Sequence, residues 1–155
     1  MATLFETICQ HLDGLGIEYK TRAHEAVTTS AEAAAVRGVD PHTGAKALLV
    51  KSKDSFAVFV VPGDRLLDWK SVKHTLSNKS VRFATAEEML DLTGLVKGSL
   101  PPFGNLLGLP VYMDEEMPRL PLVRFNAGSL TDSVEMPGPD LPRAADAIMG
   151  VFSAE

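Results

Sequence analysis

Lys46 is the residue whose type and position most directly suggest chemistry. It opens the apolar run AKALLVK, and strand alternation directs its side chain to the same side as Leu48 and Val50. If that side faces the core, the ammonium is buried, and a buried lysine needs an anionic partner or has a lowered pKa. Both conditions are typical of sites that bind phosphate or perform base chemistry. The alternative is a lysine at the strand edge whose ammonium reaches solvent.

A second candidate is the loop GLVKGSLPPFG over residues 94–104, which combines three glycines with two prolines. Glycine permits positive φ angles and close approach, while proline stiffens the chain, so successive N–H groups can be held pointing at one place. An oxyanion hole or an anion-binding nest requires this arrangement. The alternative is a purely structural turn.

Weaker candidates lie elsewhere in the chain. His24 could bind substrate or could be an ordinary exposed loop histidine. Asn126 and Gly128 follow an apolar strand, so they could line a site at its end or form a hairpin turn. The acidic run 114–116 is interpreted as a solvated loop. No nucleotide-binding glycine motif, serine-hydrolase elbow or zinc motif is present in the sequence, which argues against those classes.

Helices must help to position these residues, and the signals that mark their starts are easy to identify in the sequence. Three threonines are each followed three positions later by glutamate, the spacing of a capping box: Thr3 with Glu6, Thr29 with Glu32, and Thr85 with Glu88. They predict a first helix ended by Gly14 or Gly16, an alanine-rich helix ended by Gly38, and a third ended by Gly94. Two more helices are predicted over LDWKSVKHTL and over LPRAADAIMGVF, the latter with Asp140 as its cap.

Seven segments rich in branched and aromatic residues predict strands: 17–21, 45–51, 56–61, 81–83, 110–113, 122–126 and 133–136. The short polar segment 53–55 between two apolar runs predicts a hairpin, so the sheet should be mixed rather than purely parallel. The fold class is therefore α/β with mixed α+β character.

Composition limits the class of protein further. A chain of 155 residues with 45% hydrophobic content predicts one domain over 1–155. Its net charge of -5 argues against a sequence-blind nucleic-acid binder, and a DNA partner is not expected. Residues 46–82 nevertheless carry eight basic and three acidic side chains, a local charge of 8 - 3 = +5, which leaves -10 for the remainder. The single cysteine and the lack of a long apolar run predict a cytoplasmic protein without a membrane partner.

Taken together, these segments resemble the family of YbaK proteins and prolyl-tRNA synthetase editing domains, and the resemblance spans nearly the whole chain. The segments HEAVTTSAEAA, GAKALLVK and VVPGDRLLDWKSVKHTL occur in the order of that family. TGLVKGSLPPFG matches its Gly-x-x-x-Pro loop at Gly98 to Pro102, and GLPVYMD and FNAGSLTDSVEM resemble the strands that follow. The resemblance implies a mixed, mostly antiparallel, barrel-like sheet surrounded by about five helices.

The resemblance also implies a function. Members hydrolyse the ester that joins an amino acid to the terminal adenosine of tRNA, with no metal or organic cofactor. Our hypothesis for this reaction is that Lys46 anchors the terminal phosphate or adenosine and that the backbone amides of Gly98, Ser99 and Leu100 stabilise the oxyanion. The residues expected to bind substrate are His24, Thr29, Pro102, Phe103, Asn126 and Gly128.

The expected partner is the acceptor end of an aminoacyl-tRNA, received by the basic stretch 46–82, and the chain could dock on a synthetase or an elongation factor. Removal of alanine from Ala-tRNA(Pro) is the first expectation, with cysteine, serine and threonine left open. One alternative is an inactive module of the same fold that binds tRNA or a synthetase. Another is a Schiff-base enzyme acting through Lys46. All versions require Lys46 and the 98–102 loop to open into one cavity.

Overall fold

The computed structural model describes residues 2–26, 35 and 39–154, and the structural statements below concern this part of the chain. It contains four α-helices, α1 Leu4–Gly14, α2 Trp69–Leu76, α3 Ala86–Thr93 and α4 Leu141–Ala145. The strands are β1 Lys20–Ala23, β2 Ala45–Ser52, β3 Ser55–Pro62, β4 Leu66–Leu67, β5 Val81–Phe83, β6 Val111–Asp114, β7 Leu122–Asn126, β8 Asp132–Pro137, β9 Ile148–Gly150 and β10 Ser153–Ala154. None of these helices combines the length and the apolar composition that crossing a membrane requires.

The helix starts follow the predicted caps where the structure describes them. The Thr3 side chain accepts a hydrogen bond from the Glu6 N–H at the start of α1. Thr85 and Glu88 form the full reciprocal capping box of α3, which ends at Gly94 as predicted. The alanine-rich helix expected after Thr29 lies outside the described residues.

The predicted C-terminal helix is wrong over its second half. Helix α4 ends at Ala145, Asp146 adopts a left-handed conformation with φ 49°, and residues 148–150 form a strand. That strand pairs in parallel with β6, with Ile148 opposite Tyr112. Asp140 occupies the cap position of α4, but its side chain makes no capping hydrogen bond. Pairing with a distant strand overrides the local helical preference here.

The described strands form three sheets. The five-stranded sheet has the order β5-β2-β3-β6-β9, the three-stranded sheet β1-β8-β7, and β10 pairs with β4. Strands β2 and β3 form the predicted antiparallel hairpin, whereas β3, β6 and β9 run parallel, so the mixed sheet is confirmed. The first strand is displaced from the predicted 17–21 because Ile17 packs into the core before the chain pairs with β8 at Lys20.

Two groups of apolar side chains lie on opposite sides of the five-stranded sheet. The main core includes Ala45 and Leu49 of β2 together with Val123, Phe125 and Val134 of the three-stranded sheet. The second cluster lies on the other side and consists mainly of Val50, Ala57, Phe59, Val61, Leu67, Val72 and Phe152. The three-stranded sheet therefore covers one side of β2, and α2 with the C-terminal segment covers the other.

Asp114 shows that the acidic run 114–116 is not a fully solvated loop. The side chain is 2% exposed. Its Oδ2 accepts hydrogen bonds from the Phe152 and Ser153 N–H groups and from the Ser153 hydroxyl, and its Oδ1 accepts from the Glu116 N–H. Four donors compensate the buried carboxylate, which fixes the C-terminal segment against β6.

Glu88 should make an acid-sensitive contribution to stability. Its carboxylate pairs with Arg82, caps the Thr85 N–H and pairs with Lys51, and these contacts hold its pKa well below the ordinary value of 4.5. A carboxylate whose pKa is lowered by folding stabilises the folded state at pH values above its ordinary pKa. This stabilisation is lost as the pH falls through the folded-state pKa. We expect Glu88→Gln to lower the melting temperature at about pH 7 and to differ less from wild type at about pH 3. An equal difference at both pH values would contradict this.

Candidate active site

Lys46 lies near the start of β2, opposite Val61 of β3. Its side chain shares a side with Leu48 and Val50, as predicted from strand alternation, and this is the side of the second cluster. The residue is half-buried, and its ammonium donates a hydrogen bond to the Arg65 carbonyl in the turn after β3. Burial lowers the pKa of Lys46, while the nearby Asp64 carboxylate opposes this change. Lys46 is thus a partly desolvated cation near the N-terminal end of β2.

A single bridge next to β2 relates the position of Lys46 to that of Asn126 on β7. Gly44, the residue before β2, forms an isolated parallel bridge with Arg124 of β7. Lys46 and Asn126 each lie two residues beyond the bridge, about 7 Å further along the chain. Because paired positions of neighbouring strands point to the same side and side chains alternate along each strand, we expect these two side chains to share a side.

Asn126 in turn contacts the glycine-proline loop. Its Nδ2 donates a hydrogen bond of 2.8 Å to the Gly98 carbonyl. The Gly128 N–H donates a 3.1 Å hydrogen bond to the Ser99 carbonyl. Gly98 has φ 90°, a conformation that a residue with a Cβ rarely adopts. The end of β7 and the turn after it therefore hold two successive carbonyls of the loop and fix the orientation of its peptides.

The Ser99 amide is oriented differently from the prediction. Its N–H donates to the Val96 carbonyl at 3.1 Å, and its hydroxyl donates to the same oxygen at 2.6 Å. Both donors of Ser99, which is 1% exposed, are thus used inside the loop. An oxyanion site formed by this conformation would use the Gly98 and Leu100 amides instead.

The remaining loop residues predicted to contact substrate support the loop from the core. Leu100 and Phe103 are 6% and 0% exposed and belong to the main core, and Pro102 is also buried. The Phe103 ring packs edge-on against Phe125 with ring centroids 5.2 Å apart. Gly104 is closely packed, since an added Cβ would lie 2.8 Å from a Val58 methyl group. The loop is therefore anchored at its C-terminal end.

His24 joins the same group of residues through Ser133. The His24 N–H donates to the Thr131 carbonyl at 2.8 Å, which places the histidine directly after β1. Its Nε2 hydrogen-bonds to Ser133 Oγ, and Ser133 Oγ lies 3.4 Å from Asn126 Oδ1. The sequence did not identify Ser133 as a site residue. The relevant signal is the β7–β8 pairing, which sets Ser133 opposite Asn126.

Arg124 and Glu135 are further polar residues that the sequence did not identify. They lie opposite each other on β7 and β8 and form an ion pair of 2.9 Å. Arg124 Nη1 also donates to the Thr43 hydroxyl at 3.0 Å, close to the start of β2. Because Arg124 and Asn126 are two residues apart on one strand, their side chains share a side. This side of the three-stranded sheet is polar, and the opposite side packs in the main core.

The basic stretch 46–82 is only partly available to a polyanion. Lys51 and Arg82 pair with Glu88, and Arg65 lies 4.0 Å from Glu116. The lysines of α2 and of the following turn are exposed: Lys70, Lys73 and Lys79. Helix α2 packs through Val72 on the second cluster, the same side of the sheet as Lys46. Thr29, the last predicted contact, lies outside the described residues.

Comparison with known proteins finds a matching family and similar sequences. The profile of the aminoacyl-tRNA editing domain family matches residues 24–144. The multifunctional Ser/Thr-tRNA deacylase ProXp-y of Escherichia coli (strain K12) is 29% identical over 135 residues, which cover 84% of this chain and 81% of the relative. The proline--tRNA ligase of Thermosipho africanus is 41% identical over 59 residues, but these cover only 38% of this chain and 10% of the ligase.

Solved structures have the same fold. The crystal structure of hypothetical protein APE2540 has a TM-score of 0.87 and 26% identity, covering 96% of this chain and all of that one. A candidate trans-editing enzyme for prolyl tRNA synthetase has a TM-score of 0.83 at 23% identity, covering 100% and 99% of the two chains. The architecture is thus that of a mixed α/β editing domain.

The chain belongs to the aminoacyl-tRNA editing domain family, because the family profile matches most of its length. The predicted resemblance is therefore confirmed, and these likenesses support the expected class of enzyme, an aminoacyl-tRNA deacylase. They also associate the family with prolyl-tRNA synthetases. Docking on an elongation factor and a cytoplasmic location stay predictions.

Proposed function

We propose that this protein is a trans-editing hydrolase that removes a small amino acid from mischarged tRNA. The observation that carries the proposal is the junction of β2 and β7. There a partly desolvated lysine shares a side with Asn126, whose carboxamide binds the Gly98 carbonyl. The Gly128 N–H binds the Ser99 carbonyl and thereby orients the Leu100 amide, which belongs to the same peptide. A cation and a rigid loop with oriented amides are what hydrolysis of an aminoacyl ester requires from a protein.

The proposed reaction uses water as the nucleophile. An aminoacyl ester is already activated, so a positioned water attacks the carbonyl carbon and forms a tetrahedral oxyanion. The Gly98 and Leu100 amides stabilise this oxyanion, and Lys46 anchors the terminal phosphate or adenosine of the tRNA. The ester C–O bond then breaks, the ribose oxygen takes the proton that the attacking water has lost, and the free amino acid leaves. No residue of the chain forms a covalent intermediate.

The amino acid is proposed to be small. Alanine from Ala-tRNA(Pro) is the first candidate, and serine and threonine stand beside it because the relative from E. coli is a Ser/Thr-tRNA deacylase. His24, Ser133 and Asn126 bring hydroxyl, imidazole and carboxamide groups together near the loop, so a side-chain hydroxyl would find hydrogen-bonding partners there. A pocket that distinguishes two amino acids only by one methyl group would favour one of them by about 10- to 200-fold.

A panel of charged tRNAs tests the proposal. The purified protein is incubated with tRNA(Pro) carrying alanine, serine, threonine, cysteine or proline, and with the cognate alanyl-, seryl- and threonyl-tRNAs, and free amino acid is measured over time. We expect release of at least one small amino acid well above spontaneous hydrolysis, with Pro-tRNA(Pro) spared.

Two results would reject the proposal in different ways. Tight binding of tRNA or of a prolyl-tRNA synthetase without any release would indicate the inactive module. Trapping of a carbonyl substrate on Lys46 by borohydride would indicate Schiff-base chemistry. In both cases the fold is retained but hydrolysis is excluded.

A further inference from the structure

Phe83 is an exposed aromatic residue at the border of the five-stranded sheet. Its strand β5 is the first in the order of that sheet, so no other strand of the described chain pairs with its outer side. The Phe83 ring is 47% exposed and packs edge-on against Trp69, with ring centroids 4.8 Å apart. Trp69, at the start of α2, is itself only partly buried. The two rings form an aromatic surface open to solvent, which we call the aromatic edge.

The aromatic edge lies on the same side of the sheet as Lys46. Phe83 stands opposite Val50 of β2, and directly opposite residues of neighbouring strands point to the same side. Val50 belongs to the second cluster, on the side where Lys46 lies. Lys46 is four residues before Val50, about 13 Å along β2. One surface therefore runs from Lys46 past the partly exposed Leu48 to the aromatic edge.

The chain around the aromatic edge is basic. Residues 69–83 carry four basic side chains and no acidic one, a formal charge of 4 - 0 = +4 in a chain whose net charge is -5. The three lysines among them are exposed, and Lys73 lies one helical turn after Trp69 on α2, next to the ring. Single-stranded nucleic acid matches both features, because its bases stack on aromatic rings and its phosphates attract lysines.

We propose that the aromatic edge binds the single-stranded 3′ end of tRNA, with one base stacked on Phe83. The choice of tRNA as the nucleic acid rests on the proposed deacylase function. The terminal nucleotide lies near Lys46, and an earlier base of the same strand lies on Phe83. Trp69 limits the rotation of the Phe83 ring, so little side-chain entropy is lost on stacking. Stacking accepts any base, so the aromatic edge contributes affinity rather than selectivity among tRNAs.

The fluorescence of Trp69 tests this directly, because it is the only tryptophan of the chain. Uncharged tRNA(Pro) with a complete 3′ end is titrated into the protein, beside the same tRNA shortened by its last three nucleotides. We expect the complete tRNA to quench the fluorescence and to bind about 5- to 100-fold more tightly, the worth of one stacked base. Equal quenching and equal affinity for the two tRNAs would overturn the proposal.

Phe83→Leu removes the aromatic face and keeps an apolar side chain. We expect it to weaken binding of the complete tRNA by about 5- to 100-fold and to raise KM with little change in kcat, whereas Phe83→Tyr should behave like wild type. Phe56→Leu is the matched control, since Phe56 is also a partly exposed ring beside a lysine but packs against the main core. An equal loss of affinity in Phe56→Leu would overturn the proposal.

The binding measurements need no turnover, so they separate this inference from the proposed function. If wild type binds the 3′ end through Phe83 but releases no amino acid, the proposed function fails and the inference stands. If wild type releases amino acid but Phe83→Leu binds tRNA equally well, the inference fails and the function stands. Quenching of Trp69 by a prolyl-tRNA synthetase, with none by tRNA, would assign the aromatic edge to a protein partner and overturn the inference.

Discussion

Replacing Lys46 with methionine is expected to lower kcat/KM for deacylation by about 10- to 100-fold, the worth of one hydrogen bond to a charged group. Methionine keeps an apolar stem of similar length on the side of Leu48 and Val50, so packing against the second cluster is retained. Only the ammonium is lost. Because its hydrogen-bond partner within the described structure is a neutral carbonyl, the melting temperature should change little.

A comparison of two small substrates can show whether Lys46 anchors a phosphate. Aminoacyl-adenosine with and without a 5′-phosphate is compared for wild type and Lys46→Met. Wild type should prefer the phosphorylated compound, and the variant should lose most of this preference. Lys53→Ala is the control, since Lys53 is an exposed cation at the β2–β3 turn. A variant that retains the preference would show that Lys46 does not anchor the phosphate.

Local signals predicted the parts of the fold that depend on short-range physics. The caps at Thr3 and Thr85 and the side on which Lys46 lies follow from spacing and alternation, and both agree with the structure. Strand β9 could not be predicted in this way because residues 148–150 are stabilised as a strand by β6, more than 30 residues earlier in the chain. Register between distant segments is a tertiary property that overrides local preference.

In the candidate site too, some residues could be identified from the local sequence and others only from tertiary contacts. Residue type marked Lys46 and the 98–102 loop as candidates, because a lysine within an apolar strand and a glycine-proline run are unusual in themselves, and the family resemblance then favoured their functional interpretation. Ser133 is an ordinary residue in an ordinary strand, and only its pairing opposite Asn126 gives it a place in the site. The Ser99 amide could not be assigned either, since peptide orientation follows from the Val96 and Asn126 hydrogen bonds.

Gly98→Ala is expected to reduce deacylation by about 100-fold or more, the usual effect of losing an oxyanion donor. At φ 90° an alanine is strained, so the peptide must rotate to relieve the clash of its Cβ. Rotation would break the hydrogen bond from Asn126 to the Gly98 carbonyl and misdirect the neighbouring amides. The loss should appear mainly in kcat, measured on the charged tRNA that wild type hydrolyses best.

Gly94→Ala separates this effect from strain alone. Gly94 has φ 75°, lies four residues earlier at the end of α3, and has open space where a Cβ would stand. Both substitutions place an alanine in a left-handed conformation, so each should cost roughly 1 kcal/mol of stability. Only Gly98 has its carbonyl held by Asn126. Equal losses of activity in the two variants would mean that the loop acts through stability, and the amides of Gly98 and Leu100 would no longer be the oxyanion donors.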